Sequence, residues 1–486
     1  MNNFISRFVV RHFQPAEGYT LVSWLFLKLL ALIYFAAFMS LAVQIIGLVG
    51  PDGILPYQEM LDSQFREEGR NAWWRVPTLF WFSASNRALE LVAWAGCALS
   101  ILLFLGLQRK LVLILLFVFY LSLFHAGQTF LTFQWDTLLL ETGFLAIFLV
   151  NGPTRLLIFL YHWLLFRFRF MSGVAKLASG DPAWSNMDAL KYYFETQPLP
   201  HAISWYAHQL PEWLLKGGVA FTFFAELIVP FFIFLPRPFR LFAAVITILM
   251  QLLIIATSNH NFVNMLTILL CLFLLDDRIL NRVMPVGLQQ KISFTRAGLL
   301  QTIILPVAGL VILFTSVTVF YSMLSGYKLP APVRESALIV RSYGLGHIFH
   351  IFPVMQMERH ELIVEGSHDG LQWKGYEFRY KPGVLDQRPE FIVPHQPRLD
   401  WMIWFVPTQH PRNMLWFDRF LSRLWEGEEQ VTKLLATNPF ENEPPRYIRV
   451  LVYRYKFTTG EERTKTGNWW KREYLGQFPY VSPRRP

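Results

Sequence analysis

At 486 residues the chain would ordinarily divide into about three soluble domains, but its composition excludes that arrangement. Hydrophobic residues make up 53% and charged residues 16%, with 45 Phe and 17 Trp, whereas a soluble domain carries roughly 25% charged residues. A disordered chain, a coiled coil and a disulfide scaffold are excluded as well, and the net charge of +10 sits on basic residues that border apolar runs and form no nucleic-acid motif.

A membrane-crossing helix needs about 20 largely apolar residues. In chain order such runs lie near 22–49, 88–107, 111–131, 136–150, 154–172, 217–235, 240–258, 262–276 and 299–324. They predict a multi-pass α-helical membrane protein of about nine spans, the fourth and eighth of them short. The first run is too long for a signal peptide and is read as a retained span. Cys97 and Cys271 both fall inside apolar runs, as buried core thiols do.

Basic residues mark alternate connections. Arg7 and Arg11 precede the first run, Arg109 and Lys110 follow the second, and Arg155 follows the fourth. Arg237 and Arg240 follow the sixth; Arg278, Arg282, Lys291 and Arg296 follow the eighth. The opposite connections are acidic or neutral, as at Asp52, Glu59, Asp62, Glu67 and Glu68. Because cytoplasmic loops carry the Lys/Arg excess, the expected topology has a cytoplasmic N-terminus and an extracytoplasmic C-terminus.

Two domains are expected: a transmembrane helical domain at 1–324, with an extracytoplasmic loop at 173–213, and an extracytoplasmic β-rich domain at 325–486. In the second, Leu362–Glu365 and Gln372–Tyr380 flank the turn signal Asp369-Gly370 and predict a hairpin. Arg446–Thr458 and the stretch after Trp469-Trp470 predict another, joined by a loop. Asn413–Thr437 has helical spacing, with Leu415, Phe417, Phe420, Leu421 and Leu424 on one side.

Ionisable residues within spans are costly and face a partner or a cavity. The membrane polar cluster comprises Gln134, Asp136, Glu141, Arg167, Arg169 and Lys176. Asp136 stands where a carboxylate caps a helix N-terminus; Glu141, about 7 Å deeper, needs a partner or a proton. Arg167 and Arg169 point about 200° apart on a helix, so one pairs inward while the other snorkels. Lys176 follows a glycine among apolar residues, where desolvation turns an amine into a base. Glu226, Gln251 and Ser258–Asn264 suit helix packing. His347 and His350 lack a third ligand nearby, and no metal, cofactor or standard catalytic motif is expected.

The segments Phe133-Gln-Trp-Asp-Thr-Leu-Leu-Leu-Glu-Thr-Gly-Phe-Leu-Ala146, Leu362–Trp373, Pro394-His-Gln-Pro-Arg-Leu-Asp-Trp401, Asn438-Pro-Phe440 and Pro444-Pro-Arg-Tyr447 resemble, in order, the hallmarks of the lipase maturation factor family. The resemblance implies an endoplasmic reticulum membrane protein that helps secreted dimeric lipases fold and assemble. The absence of Asn-X-Ser/Thr sequons and of cysteines outside the apolar runs also suits a bacterial cytoplasmic membrane. A fainter similarity links Ser172–Leu177 and Trp184 to the vitamin K-dependent carboxylase family. It places Lys176 at a functional lysine of that family, but Ala175 and Leu138 at two other functional positions.

Two functional expectations follow. In the first, the protein binds a folding lipase as well as membrane lipids, with Trp401, Trp404, Trp469 and Trp470 as client contacts, since aromatic residues dominate binding energetics. In the second, an intramembrane enzyme acts on a lipid-like or quinone-like substrate, with Lys176 as base and Glu141 or Asp136 as acid. The oligomeric state is left open.

Overall fold

The computed structural model describes residues 16–286, 294, 300–408 and 414–479. Arg7, Arg11, Lys291 and Arg296, which contribute to the orientation argument, lie outside the described residues, as do residue 299 and Asn413. The apolar runs form α1 (Thr20–Ala42), α2 (Asn86–Leu105), α3 (Arg109–Ala126), α4 (Gln134–Leu149) and α5 (Arg155–Ala178). They continue with α6 (Glu212–Phe223), α7 (Arg237–Thr257), α8 (Val263–Leu270) and α9 (Leu305–Ser325).

The protein is a multi-pass membrane protein with a C-terminal sheet region. Among the described residues six helices are long and apolar enough to cross a membrane: α1, α2, α3, α6 with its extension to Phe234, α7 and α9 with its extension from Gln301. Six of the expected nine or so runs therefore form helices of that length and apolarity. Helix α4 has only 16 residues, and α8 has eight before it tightens into a 3-10 turn at Cys271–Leu274. Helix α5 is long but interrupted by Arg167, Arg169 and Lys176. Most side chains of α4 and α8 are buried, so both are core helices, surrounded largely by protein.

The bundle has two distinct ends. At one, the Asp277 carboxylate accepts the N–H groups of Thr20, Leu21 and Val22 at 2.8–3.0 Å, capping α1 from across the chain. Nearby, Arg237 chelates Asp276 at 2.5 and 3.1 Å. At the other end the C-terminal part of the chain is seated.

After α9 comes α10 (Ala331–Ser342), then a nonhelical passage, then a four-stranded antiparallel sheet in the order β2-β1-β3-β4. The strands are β1 (Arg359–Ser367), β2 (Lys374–Gly375), β3 (Tyr447–Phe457) and β4 (Trp470–Gln477). β1 pairs with β3 from Arg359↔Tyr455 to Ser367↔Tyr447. Two expectations need correction. The second strand of the first hairpin shrinks to two residues, because after the Tyr376 N–H bonds the Val364 carbonyl the chain turns away to bridge Thr437 through Glu377. Between β3 and β4 stands a short helix, Gly460–Thr466, whose capping box pairs Thr459 with Glu462. Helix α11 (Leu415–Glu426) lays Trp416, Phe417, Phe420 and Leu424 inward. One continuous apolar cluster runs from Phe26 of α1 to Phe417 of α11, so bundle and sheet region share a core.

Candidate functional site

Asp136 lies in the first turn of α4, fully buried. Helix capping is not its role. Its carboxylate takes a bidentate grip from Arg398, Nη1–Oδ2 and Nη2–Oδ1 both at 2.7 Å, and a third bond from the Tyr120 hydroxyl at 2.7 Å. Arg398 also donates to the Phe130 carbonyl at 3.1 Å, while its own N–H is held by Gln44 Oε1 at 2.8 Å. Around the pair, Trp135 stacks on Phe133 and meets Trp401 edge-on, with ring centroids 5.2 Å apart. Two motifs 262 residues apart in sequence therefore interlock through charge and rings.

Glu141 sits one turn past Asp136, about 10 Å along α4 from its start. It pairs with Arg167 of α5, both side chains buried. The pair does more than neutralise itself. The second Glu141 oxygen accepts the Gly346 N–H at 2.9 Å, and Arg167 Nη1 donates to the His347 carbonyl at 2.9 Å. After α10 the chain thus turns back into the bundle. A Cβ on Gly344, whose φ is +75°, would stand 2.6 Å from the Leu140 side chain. Phe349 is fully buried against Phe168, 5.4 Å between centroids. Nonhelical backbone at membrane depth survives only where protein satisfies its polar groups, and Glu141 and Arg167 supply that satisfaction.

Glu226 occupies a π turn, Phe224–Ile228, at the end of α6; such a turn widens the helix and re-aims one side chain. It faces Lys176 at 2.8 Å and Arg169 at 3.4 Å. Gly173 allows the approach, since a Cβ there would lie 2.9 Å from the Glu226 Cβ. Arg169 also donates to Met250 Sδ at 2.6 Å, so both arginines point inward and neither snorkels. Lys176 pairs with neither Glu141 nor Asp136: Glu141 is committed to Arg167 and Asp136 to Arg398. The base-and-acid arrangement expected of an intramembrane enzyme is not assembled.

The same logic continues outward. Gln134 accepts the His350 N–H at 2.7 Å. Asn261 donates to Gln396 at 3.0 Å, Asn259 to the Glu390 carbonyl at 2.8 Å and Asn264 to Gln251 at 2.8 Å. Arg359 of β1 is buried against Glu361 and donates to the carbonyls of Glu195 and Pro198 at 3.0 and 2.9 Å, fastening the sheet to the loop after α5. His347 and His350 make backbone and amide contacts, and no group of three metal-ligating side chains occurs among the described residues.

The tryptophans expected as client contacts are core. Trp401, Trp469 and Trp470 are buried, Trp470 stacking on Phe457 at 4.2 Å. Half-buried Trp404 donates to the Thr196 carbonyl at 2.6 Å. The rings of Trp401, Trp469 and Trp470 are thus taken up in packing, while Trp404 keeps part of its surface exposed.

The geometry reunites the motifs of the family resemblance: Phe133–Asp136 with Arg398–Trp401, and Gly366 of β1 with Phe440, whose ring a Cβ at 366 would meet at 2.5 Å. Residues 21–282 match the lipase maturation factor transmembrane domain and residues 339–480 the lipase maturation factor C-terminal domain. The chain belongs to the lipase maturation factor family. It is 35% identical to lipase maturation factor 2 of Xenopus laevis, covering 92% of this chain and 80% of that protein. It is 34% identical to lipase maturation factor 2 of Homo sapiens over 96% and 83%. To lipase maturation factor 1 of Mus musculus it is 33% identical over 97% and 89%. No solved structure matches the chain.

The sequence names both members of the Glu141–Arg167 pair, but not Arg398 as the partner of Asp136 or Glu226 as the partner of Lys176 and Arg169. Arg398 lay inside a quoted motif but carried no signal of burial. Glu226 reads in the sequence as a helix-packing residue. Arg359 stands at the head of a strand, where an arginine is ordinarily exposed.

Proposed function

We propose that this chain is a maturation factor that binds folding secreted lipases and makes no covalent bond with them. Membership of the lipase maturation factor family supports the client. The observation that carries the binding mechanism is the commitment of every charge in the membrane polar cluster to a structural partner. What remains for a client is surface. On the sheet region, Leu371, Trp425 and Tyr447 are 84%, 55% and 53% exposed and adjoin one another. Trp425 Nε1 donates to the Arg446 carbonyl at 3.2 Å. The Tyr447 ring lies against Gly370, and the Arg449 guanidinium covers Trp373 at 4.1 Å. Exposed aromatics beside an arginine have the composition of binding hot spots.

The proposed topology keeps the N-terminus cytoplasmic and the sheet region extracytoplasmic. Supporting it, Arg109, Arg155, Arg237, Arg240, Arg278 and Arg282 all adjoin the bundle end opposite the sheet region, as cytoplasmic loops do. In that arrangement α4, α5 and α8 complete nine passes, and the sheet part follows residue 324, apart from the return of residues 344–349 into the bundle. The relatives named above are vertebrate, which favours the endoplasmic reticulum over a bacterial cytoplasmic membrane.

The test is complementation of cells lacking their own maturation factor. Trp425→Ala with Tyr447→Ala should lower secreted lipase activity without lowering factor abundance. Full rescue by that variant would remove the patch as the client surface, and failure of the unaltered chain to rescue would remove the lipase reading itself.

A further inference from the structure

Helix α1 buries one side and leaves the other uncovered. Leu29, Leu32 and Val43 are exposed, and Phe35, Ala36 and Met39 half-exposed, a stripe at helical spacing. From Leu29 to Val43 it runs about 21 Å, more than one hydrocarbon leaflet of about 15 Å. The stripe ends in a cavity. Where α1 meets the C-terminal part of the chain, a space of about 550 Å³ opens, lined on one wall by Phe35, Ala36, Met39 and Val43. The other wall carries Arg379, Lys433 and His395.

Charge and apolar surface are thus segregated within one cleft. Arg379 is exposed and is held in place by donating to the carbonyls of Leu435 and Lys433 at 3.1 and 2.7 Å. Among the described residues the Lys433 side chain pairs with Glu429 alone, at 2.7 Å, both side chains more than half exposed, a kind of pair that contributes little and exchanges readily. Asp400 also lines the cleft, but its Oδ1 accepts the N–H groups of Tyr380 and Lys381 at 2.8 and 3.0 Å, so the accessible excess is positive. Two cations at the mouth of a lipid-facing apolar groove match an amphiphile with an anionic head, not a soluble metabolite, which would gain nothing from the stripe.

We infer that this cleft binds one membrane phospholipid, its phosphate headgroup between Arg379 and Lys433 and its acyl chain along the exposed stripe of α1. The inference does not depend on the identity of the client. A lipid seated there bridges α1 to residues 379–400 and 433–434, joining the two parts of the chain at a place where protein contacts alone leave a gap.

Native mass spectrometry of the full chain in nonionic detergent tests it, with added palmitoyl-oleoyl phosphatidylglycerol, the matching phosphatidylcholine and inorganic phosphate as probes. One phosphatidylglycerol per chain should be retained after bulk lipid is stripped, with inorganic phosphate failing to displace it. Arg379→Ala and Lys433→Ala should each weaken it about fivefold, the effect of one basic residue at an anionic membrane surface. Arg379→Lys should restore most of the loss, which separates charge from folding. Met39→Trp, which fills the groove from the exposed side of α1, should abolish retention while gel-filtration behaviour stays unchanged. Displacement by phosphate alone would make the cleft a simple anion site. Undiminished retention in Met39→Trp, or equal retention of both lipids with no effect of the two alanines, would overturn the proposal.

Discussion

Replacing Arg398 with methionine isolates what the deepest cross-link contributes. The side chain leaves behind Asp136, 0% exposed, with the Tyr120 hydroxyl as its remaining partner. Breaking a buried pair by removing one partner costs about 3–5 kcal/mol, because the other charge is stranded in a medium that cannot solvate it. At 1.36 kcal/mol per tenfold, that is roughly two to four powers of ten in the equilibrium holding residues 394–405 on the bundle. The assay is denaturant-induced unfolding of the detergent-solubilised full chain by tryptophan fluorescence, alongside protease sensitivity of residues 394–405. Arg398→Met should unfold at lower denaturant and be nicked in that segment first. The triple replacement Tyr120→Phe, Asp136→Leu, Arg398→Met should recover most of the loss, because the desolvation penalty leaves with the charges. A cost below about 1 kcal/mol for Arg398→Met, the value of an exposed pair, would refute the reasoning by showing that the pair is wet.

Lys176→Met should leave lipase maturation per molecule unchanged in the complementation assay, since Glu226 retains Arg169; lost activity at equal abundance would restore a chemical role for the amine. Gly344→Ala puts a methyl 2.6 Å from Leu140 at a φ of +75° and should cost about 1–3 kcal/mol, read as earlier thermal unfolding; an unchanged midpoint would mean the passage back into the bundle is loosely held. Stability should also fall in acid. Burial, reinforced by Arg398 and Arg379, pushes the His395 imidazole down to about 4, against about 6.5 in an unfolded chain. With the folded value depressed, the stabilisation is complete above pH 6.5 and is lost as pH falls through about 4, amounting to roughly 1–3 kcal/mol after allowing for partial exposure. His395→Gln should flatten the thermal midpoint across that window, and an unaltered slope would assign the acid sensitivity elsewhere.

The membrane class, the apolar runs and the polar residues inside them were legible because lipid imposes a strong compositional rule. Three things were not. Helices α4 and α8 carry apolar runs like those of crossing helices, yet they are core helices shielded by others, and hydropathy does not distinguish lipid from protein surroundings. The partners of Asp136 and Lys176 lie 262 and 50 residues away, and periodicity carries no information at such separations. Tryptophan was misleading for a physical reason: a large ring suits an interface and a core equally, and in Trp401, Trp469 and Trp470 the core prevailed.

Why so many charges are buried follows from what they touch. As pairs alone they would contribute little, since apolar replacements of similar volume are commonly as stable. Glu141 and Arg167, however, bind the Gly346 N–H and the His347 carbonyl, Arg398 binds the Phe130 carbonyl, and Arg359 binds carbonyls of the loop after α5. No leucine can do that. Each pair holds an irregular stretch of backbone at a place water does not reach, and each stretch comes from a different part of the chain. The result is a sheet region braced to the bundle at Arg398, at Gly346–His347 and at Arg359, so that its exposed aromatic surface keeps one orientation to the bundle. A client bound at the proposed surface would therefore meet a fixed platform rather than a domain on a tether.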